Sequence, residues 1–168
     1  MPVSPHRLRA RAFAAFLSLC ALAGCAQRND ANTGPSPASL PSEYRPAGVA
    51  PGSAVKGVYP DHWTAQQATF GVDVPRTART LRVEIDVPAA FYKPGEQGVT
   101  LQLGSGTTQS KHGLPVGRQT LTFSVPGSAR GKSVGVKLLP DATFVPSKLG
   151  LSSDARQLGV ILYGVSFG

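Results

Sequence analysis

Leu81, Val83, Ile85 and Val87 alternate with Thr80, Arg82, Glu84 and Asp86, and a spacing of two places the apolar set on one face of an extended strand and the polar set on the other. This alternation constrains the fold more than any other feature, because it recurs through residues 57–168 and never gives way to helical spacing. Phe70, Val72 and Val74 repeat it before Pro75, as do Leu121, Phe123 and Val125 before Pro126. Val99, Leu101 and Leu103 form a further run, followed by a hairpin turn at Gly104-Ser105-Gly106 and a polar strand near Thr107 to Lys111. Val134, Val136 and Leu138 form another. The count comes to seven or eight antiparallel strands in about 110 residues, the size and spacing of a single all-β sandwich of jelly-roll type, with a closed barrel as the alternative. The strands are too short and the turns too close for a transmembrane barrel.

The last run, Leu158 to Phe167 (LGVILYGVSF), is apolar on both faces. It is expected in the middle of a sheet, with Gly164 allowing a bulge or a close contact.

The start of the chain has a different character. Arg7, Arg9 and Arg11 precede an apolar run of eleven residues, Ala12 to Leu22, and then Ala23-Gly24-Cys25. These are the proportions of a secretory signal, and the run is too short to span a bilayer, which needs ~20 apolar residues. Leu22-Ala23-Gly24-Cys25 resembles a bacterial lipoprotein signal. The resemblance implies cleavage before Cys25, lipidation of its thiol and attachment to the cell envelope, with Ala26 directing the product to the outer membrane of a Gram-negative cell. Three of the 17 Lys and Arg would leave with residues 1–24 and none of the nine Asp and Glu, so the remainder carries a formal charge of +5. Such a surface attracts anionic polysaccharide or lipid headgroups, and nucleic acid is not expected as a partner in that compartment. Cys20 would depart and Cys25 would be consumed, leaving no thiol for a disulfide, catalysis or zinc.

Residues 25–56, including AQRNDANTGPSPASLPSEYRPAGVAPGSAVK after Cys25, are rich in Pro, Ser, Ala and Gly without apolar periodicity. They read as a flexible tether, with the folded domain at 57–168. The other reading docks this segment on the domain through Leu40, Tyr44 and Val49.

The stretches GVYPDHWTAQQATFGVDVP, VTLQLGSGTTQSKHGLPVGRQTLTFSVP and FVPSKLGLSSDARQLGVILYGVSF resemble small β-sandwich accessory domains of bacterial surface-polysaccharide synthesis, which are similar to galactose-binding-like jelly rolls and often accompany glycosyltransferase domains. The resemblance covers residues 57–168, most specifically Asp154, Arg156, Leu158 and Gly159. It implies a non-catalytic module associated with envelope or exopolysaccharide carbohydrate. A structural or assembly lipoprotein that binds a protein of an envelope machine is the competing expectation.

Candidate ligand residues are Tyr59, His62, Trp63, Tyr92 and Lys93. Trp63 can stack on a pyranose face, although its place before the first long strand favours packing. Tyr92 lies in the loop AAFYKPGEQG and is expected to be exposed, with Lys93 beside it for acidic sugars. Asp154 and Arg156 sit just before the final strand. They can hold a ligand hydroxyl, but are expected to brace the loop, the aspartate capping amides and the arginine crossing to a carboxylate or carbonyls.

No catalytic set is evident. Paired carboxylates facing a cleft and a G-x-S-x-G elbow are both missing from the sequence. His62, His112 and Asp61 match no metal-ligand spacing, so neither a metal nor another cofactor is expected, although Asp61, Asp141 and Asp154 leave calcium open.

Overall fold

The computed structural model describes residues 44–168; Cys25, the signal segment and the tether as far as residue 43 lie outside that range. Eight strands follow in order: β1 (Lys56–Val58), β2 (Thr64–Asp73), β3 (Thr80–Val87), β4 (Gln97–Leu103), β5 (Thr107–Leu114), β6 (Gly117–Ser124), β7 (Ser133–Pro140) and β8 (Ile161–Phe167). They form a five-stranded sheet, β1-β2-β7-β4-β5, and a three-stranded sheet, β6-β3-β8, with every strand pair antiparallel. The alternating runs therefore build a sandwich of jelly-roll type, and the two sheets do not close into a barrel. Short 3-10 turns at Gly127–Ala129 and Pro146–Leu149 are the only helical pieces among the described residues.

The core lies between the sheets. Leu81, Val83, Ile85 and Val87 of β3 are fully buried, and face Ala68, Phe70 and Val72 of β2, Val99 and Leu101 of β4, and Val136 and Leu138 of β7 in one cluster. Polar partners on the same strands turn to solvent, as period-two burial requires.

Both lateral openings of the sandwich are bridged. On one side the Gln109 side chain of β5 reaches β6: its amide nitrogen donates to the Ser124 carbonyl at 2.8 Å and its oxygen accepts the Ser124 N–H at 2.8 Å. On the other, Thr64 of β2 joins the entry to β8, its hydroxyl donating to Val160 O at 3.0 Å and accepting the Val160 N–H at 3.1 Å. Backbone bonds from Thr64 N to Val160 O and from Gly159 N to Thr64 O complete this corner.

Two expectations need correction. Residues 44–55 are not part of a free tether, because they run along the domain as a strap. Ala47 N–H donates to Tyr163 O, Val165 N–H to Ala47 O, and Ala50 N–H to Gly71 O, so the strap is bonded to β8 and to β2. Arg45 fastens its turn through Ala50 O and Ser53 O, and Val49, Ala50 and Val55 are buried. Burying each valine contributes roughly 1.5–3 kcal/mol, more than a composition rich in Pro and Gly suggests. Tyr44 and Val49 are indeed anchors, while Leu40 lies outside the described residues.

The final strand, secondly, is not central. It pairs only with β3 and forms an edge of the three-stranded sheet, whose open side Ala47 covers through a parallel bridge to Gly164. The expected irregularity at Gly164 is present: the register with β3 shifts between Leu162 and Gly164, and a Cβ on Gly164 would come within 2.9 Å of Ala47 Cβ.

Candidate functional site

The turn joining β1 to β2 gathers most of the residues singled out in the sequence. Tyr59 N–H donates to Trp63 O and His62 N–H to Tyr59 O, closing the turn with His62 at φ 70°. A left-handed histidine costs roughly 1–2 kcal/mol against sterics. Here its ring stacks on Tyr44 at 3.8 Å and meets Tyr163 edge-on at 5.6 Å, which offsets that cost.

Arg156 is the hub of the next cluster. Its guanidinium bonds both oxygens of Asp61, at 3.1 and 2.6 Å, and both oxygens of Asp154, at distances from 2.7 to 3.0 Å. It also lies 4.6 Å from the Tyr59 ring centroid. Asp154 additionally accepts the Arg156 backbone N–H at 2.8 Å. Hydrogen bonds from Arg156 hold both carboxyls below the ordinary aspartate range, and those same bonds raise the guanidinium. With five donors spread over two carboxylates, Arg156 ties the turn at Asp61 to the loop before β8. Two of the three aspartates considered for calcium are thus committed to an arginine.

The third, Asp141, accepts a hydrogen bond from His112 Nδ1 at 2.5 Å. Gly98 lies beneath this pair, where any Cβ would collide with the Asp141 carboxylate. Among the described residues no three His, Cys, Asp or Glu side chains converge to hold a metal.

Trp63 is half-buried, with Phe91 and Phe144 edge-on at 5.8 and 5.5 Å. Tyr92 requires a correction. It is 8% exposed, not an open loop aromatic, and its hydroxyl faces Gly159 O at 3.1 Å, Ala142 O at 3.2 Å and Leu158 O at 3.4 Å. Burial pushes its pKa up to about 12. Lys93, 86% exposed, is paired only with Glu96, at 4.0 Å. Tyr59, Asp61, Asp154 and Arg156 therefore meet, and Trp63 and Tyr92 share an aromatic cluster with Phe144. These contacts commit Asp61, Asp154, Arg156 and the Tyr92 hydroxyl to holding the fold.

The open surface is elsewhere. A groove of about 660 Å³ crosses the outer face of the five-stranded sheet, lined by Ser53, Thr69, Gln102, Ser105 and Lys137. Its floor is low because Gly71 of β2 and Gly135 of β7 are cross-strand partners. A Cβ on Gly71 would strike Ser53, whereas one on Gly135 would meet nothing within 4 Å. A second groove, of about 620 Å³, lies on the outer face of the three-stranded sheet and is lined by Arg82, Glu84, Thr120 and Ser166. Sequence reasoning missed the first groove. Thr69, Gln102 and Lys137 are visible as outward positions of their strands, but their adjacency comes from pairing β2, β7 and β4, which are far apart in the chain.

No protein-family model matches the sequence, and no curated protein matches it. What the structure supports of the expected likeness is a two-sheet β-sandwich fold alone. Among the described residues no helix is long and apolar enough to cross a membrane.

Proposed function

We propose that this is a non-catalytic binding module for carbohydrate, held at the bacterial cell envelope by a lipid on Cys25. The observation that carries the reading is the groove over Gly71 and Gly135. Its hydroxyl, amide and ammonium groups suit the hydroxyls of an extended glycan, and the paired glycines let a sugar ring approach the backbone. This reading puts the ligand on the sheet face, away from the buried Tyr92.

Gly135→Val tests the groove. The new side chain enters open space on a strand position that favours β-branched residues, so folding is retained while the groove is filled. Affinity gel electrophoresis against a panel of envelope and plant polysaccharides should show retardation of the parent and loss of it in the variant. A variant retarded like the parent removes the groove from the reading, and a parent retarded by no polysaccharide removes the reading itself. Cys25→Ser tests the anchor: the protein should leave the membrane fraction, and its persistence there after a salt wash overturns lipidation.

A second reading, an assembly lipoprotein with a protein partner, draws on one feature. Leu149 and Leu151 are 59% and 58% exposed on either side of Gly150, an unusual pair for a solvent-facing turn. Leu149→Ser with Leu151→Ser should leave polysaccharide retardation unchanged, and loss of it would place the ligand at that turn.

A further inference from the structure

Five side chains form one continuous row across the outer face of the five-stranded sheet. Lys56 of β1 pairs with Thr69 of β2, Thr69 with Lys137 of β7, Lys137 with Gln102 of β4, and Gln102 with Thr108 of β5. Directly paired residues share a face of a sheet, so each strand contributes one polar group to a line perpendicular to the strands. Three of the five, Thr69, Gln102 and Lys137, also line the groove.

We infer that this row is a track for an acidic glycan, a polysaccharide carrying carboxylates, laid across the strands. The inference rests on the carbohydrate reading above and names the class of ligand. Charge is its first support. Lys137 is the sole charged residue lining the groove, and neither lysine takes part in any ion pair among the described residues. The nearest carboxylates along these strands are Asp73, at the end of β2, and Asp141, just past the end of β7. Each is four residues from the row, or ~13 Å at ~3.3 Å per residue of extended chain, beyond the screening length in physiological salt. Asp141 is also taken up by His112.

Spacing is the second support. Lys56 and Lys137 stand two strands apart, ~10 Å at ~4.8 Å per strand, close to the length of one disaccharide. A polyuronate can present the carboxylates of alternate sugars, one disaccharide apart, to the two ammonium groups while Thr69 between them, and Gln102 and Thr108 beyond, bond its hydroxyls. A neutral glycan uses only the latter.

The test uses full-length protein in detergent, with polygalacturonate, dextran of similar length and a single-stranded DNA oligonucleotide as probes. Polygalacturonate should bind well above dextran and DNA. Lys56→Ala and Lys137→Ala should each weaken it about tenfold, the usual loss with one charge-assisted hydrogen bond, without lowering the melting temperature. Lys137→Arg should retain most of the binding. Lys148→Ala removes the same charge from the Pro146–Leu149 turn and should change nothing. Equal weakening by Lys148→Ala, or DNA binding as tight as polygalacturonate, reduces the effect to bulk charge and overturns the track. Dextran bound as tightly as polygalacturonate, with both row variants unaffected, overturns the acidic class yet leaves the carbohydrate reading standing. Failure of every polysaccharide to bind removes both.

Discussion

Gln109 pairs with Ser124 as one peptide unit pairs with another, giving a hydrogen to its carbonyl and taking one from its amide, each at 2.8 Å. The side chain thereby continues a hydrogen-bonded ladder across the gap between β5 and β6, which belong to different sheets. Gln97 does the same with Ala142, and Thr64 with Val160. In each case a primary amide or hydroxyl supplies a donor and an acceptor where two strands diverge.

Gln109→Ala should therefore lower stability by about 1–2 kcal/mol, the net value of two solvent-accessible hydrogen bonds. Hydrogen exchange at the Ser124 amide should accelerate while the amides of β3 remain protected. Unchanged exchange at Ser124 would show that the backbone there is held by something else.

Arg156→Ala should cost on the order of 1–3 kcal/mol, because it leaves Asp61 and Asp154 without their shared partner. The pH dependence carries the sign. Both carboxyls are depressed in the folded protein, so they stabilise it fully above the unfolded value of about 3.9 and lose that contribution as pH falls through their folded values. The parent should accordingly melt progressively lower as the solution is acidified below about pH 4, and Arg156→Ala should flatten that slope. A variant with the parent's acid profile would show that Arg156 is not what holds these carboxyls ionised.

Tyr92→Phe deletes a buried hydroxyl and leaves the ring, for a loss of about 1 kcal/mol, whereas Tyr92→Ala opens a cavity worth about 3–5 kcal/mol. Because burial raises the phenol to about 12 in the folded state, its contribution is complete below the unfolded value of about 10 and is lost as pH rises through the folded one. Alkaline unfolding of the parent should thus contain a component absent from Tyr92→Phe. Superimposable alkaline profiles would exclude this tyrosine.

The strands of the core were legible because their signal is local: each residue of Leu81 to Val87 has its burial fixed by the parity of its position. Three features were not. Tyr44 and Val49 stand out in the sequence as candidate anchors, but Val55 does not, and the bonds that dock the strap on β8 use backbone groups, which composition does not report. The double-sided apolarity of β8 suggested flanking strands on both sides. Its second face is instead covered by His62 and the Arg118 guanidinium against Tyr163, the latter at 4.1 Å, while the strap runs along its edge. Tyr92 sits before Lys-Pro-Gly, a sequence that reads as an exposed loop, yet its three carbonyl partners arrive from residues 142, 158 and 159. The Asp154–Arg156 contact was within reach of sequence reasoning because it is local, while Asp61, 95 positions away from Arg156, was not identified as its second partner.

The strap also determines how the domain responds to being pulled. Any load that reaches residue 44 from the N-terminal side meets the bonds of Tyr44 to Val58 and Tyr163 first, then the Ala47–Gly164 bridge, and then the Ala50 and Ser53 contacts to Gly71. Those latter contacts end on the glycine that floors the groove. Tension applied at the N-terminal side is thereby delivered to the floor of that groove, through the dozen residues of the strap rather than through the hydrophobic interior.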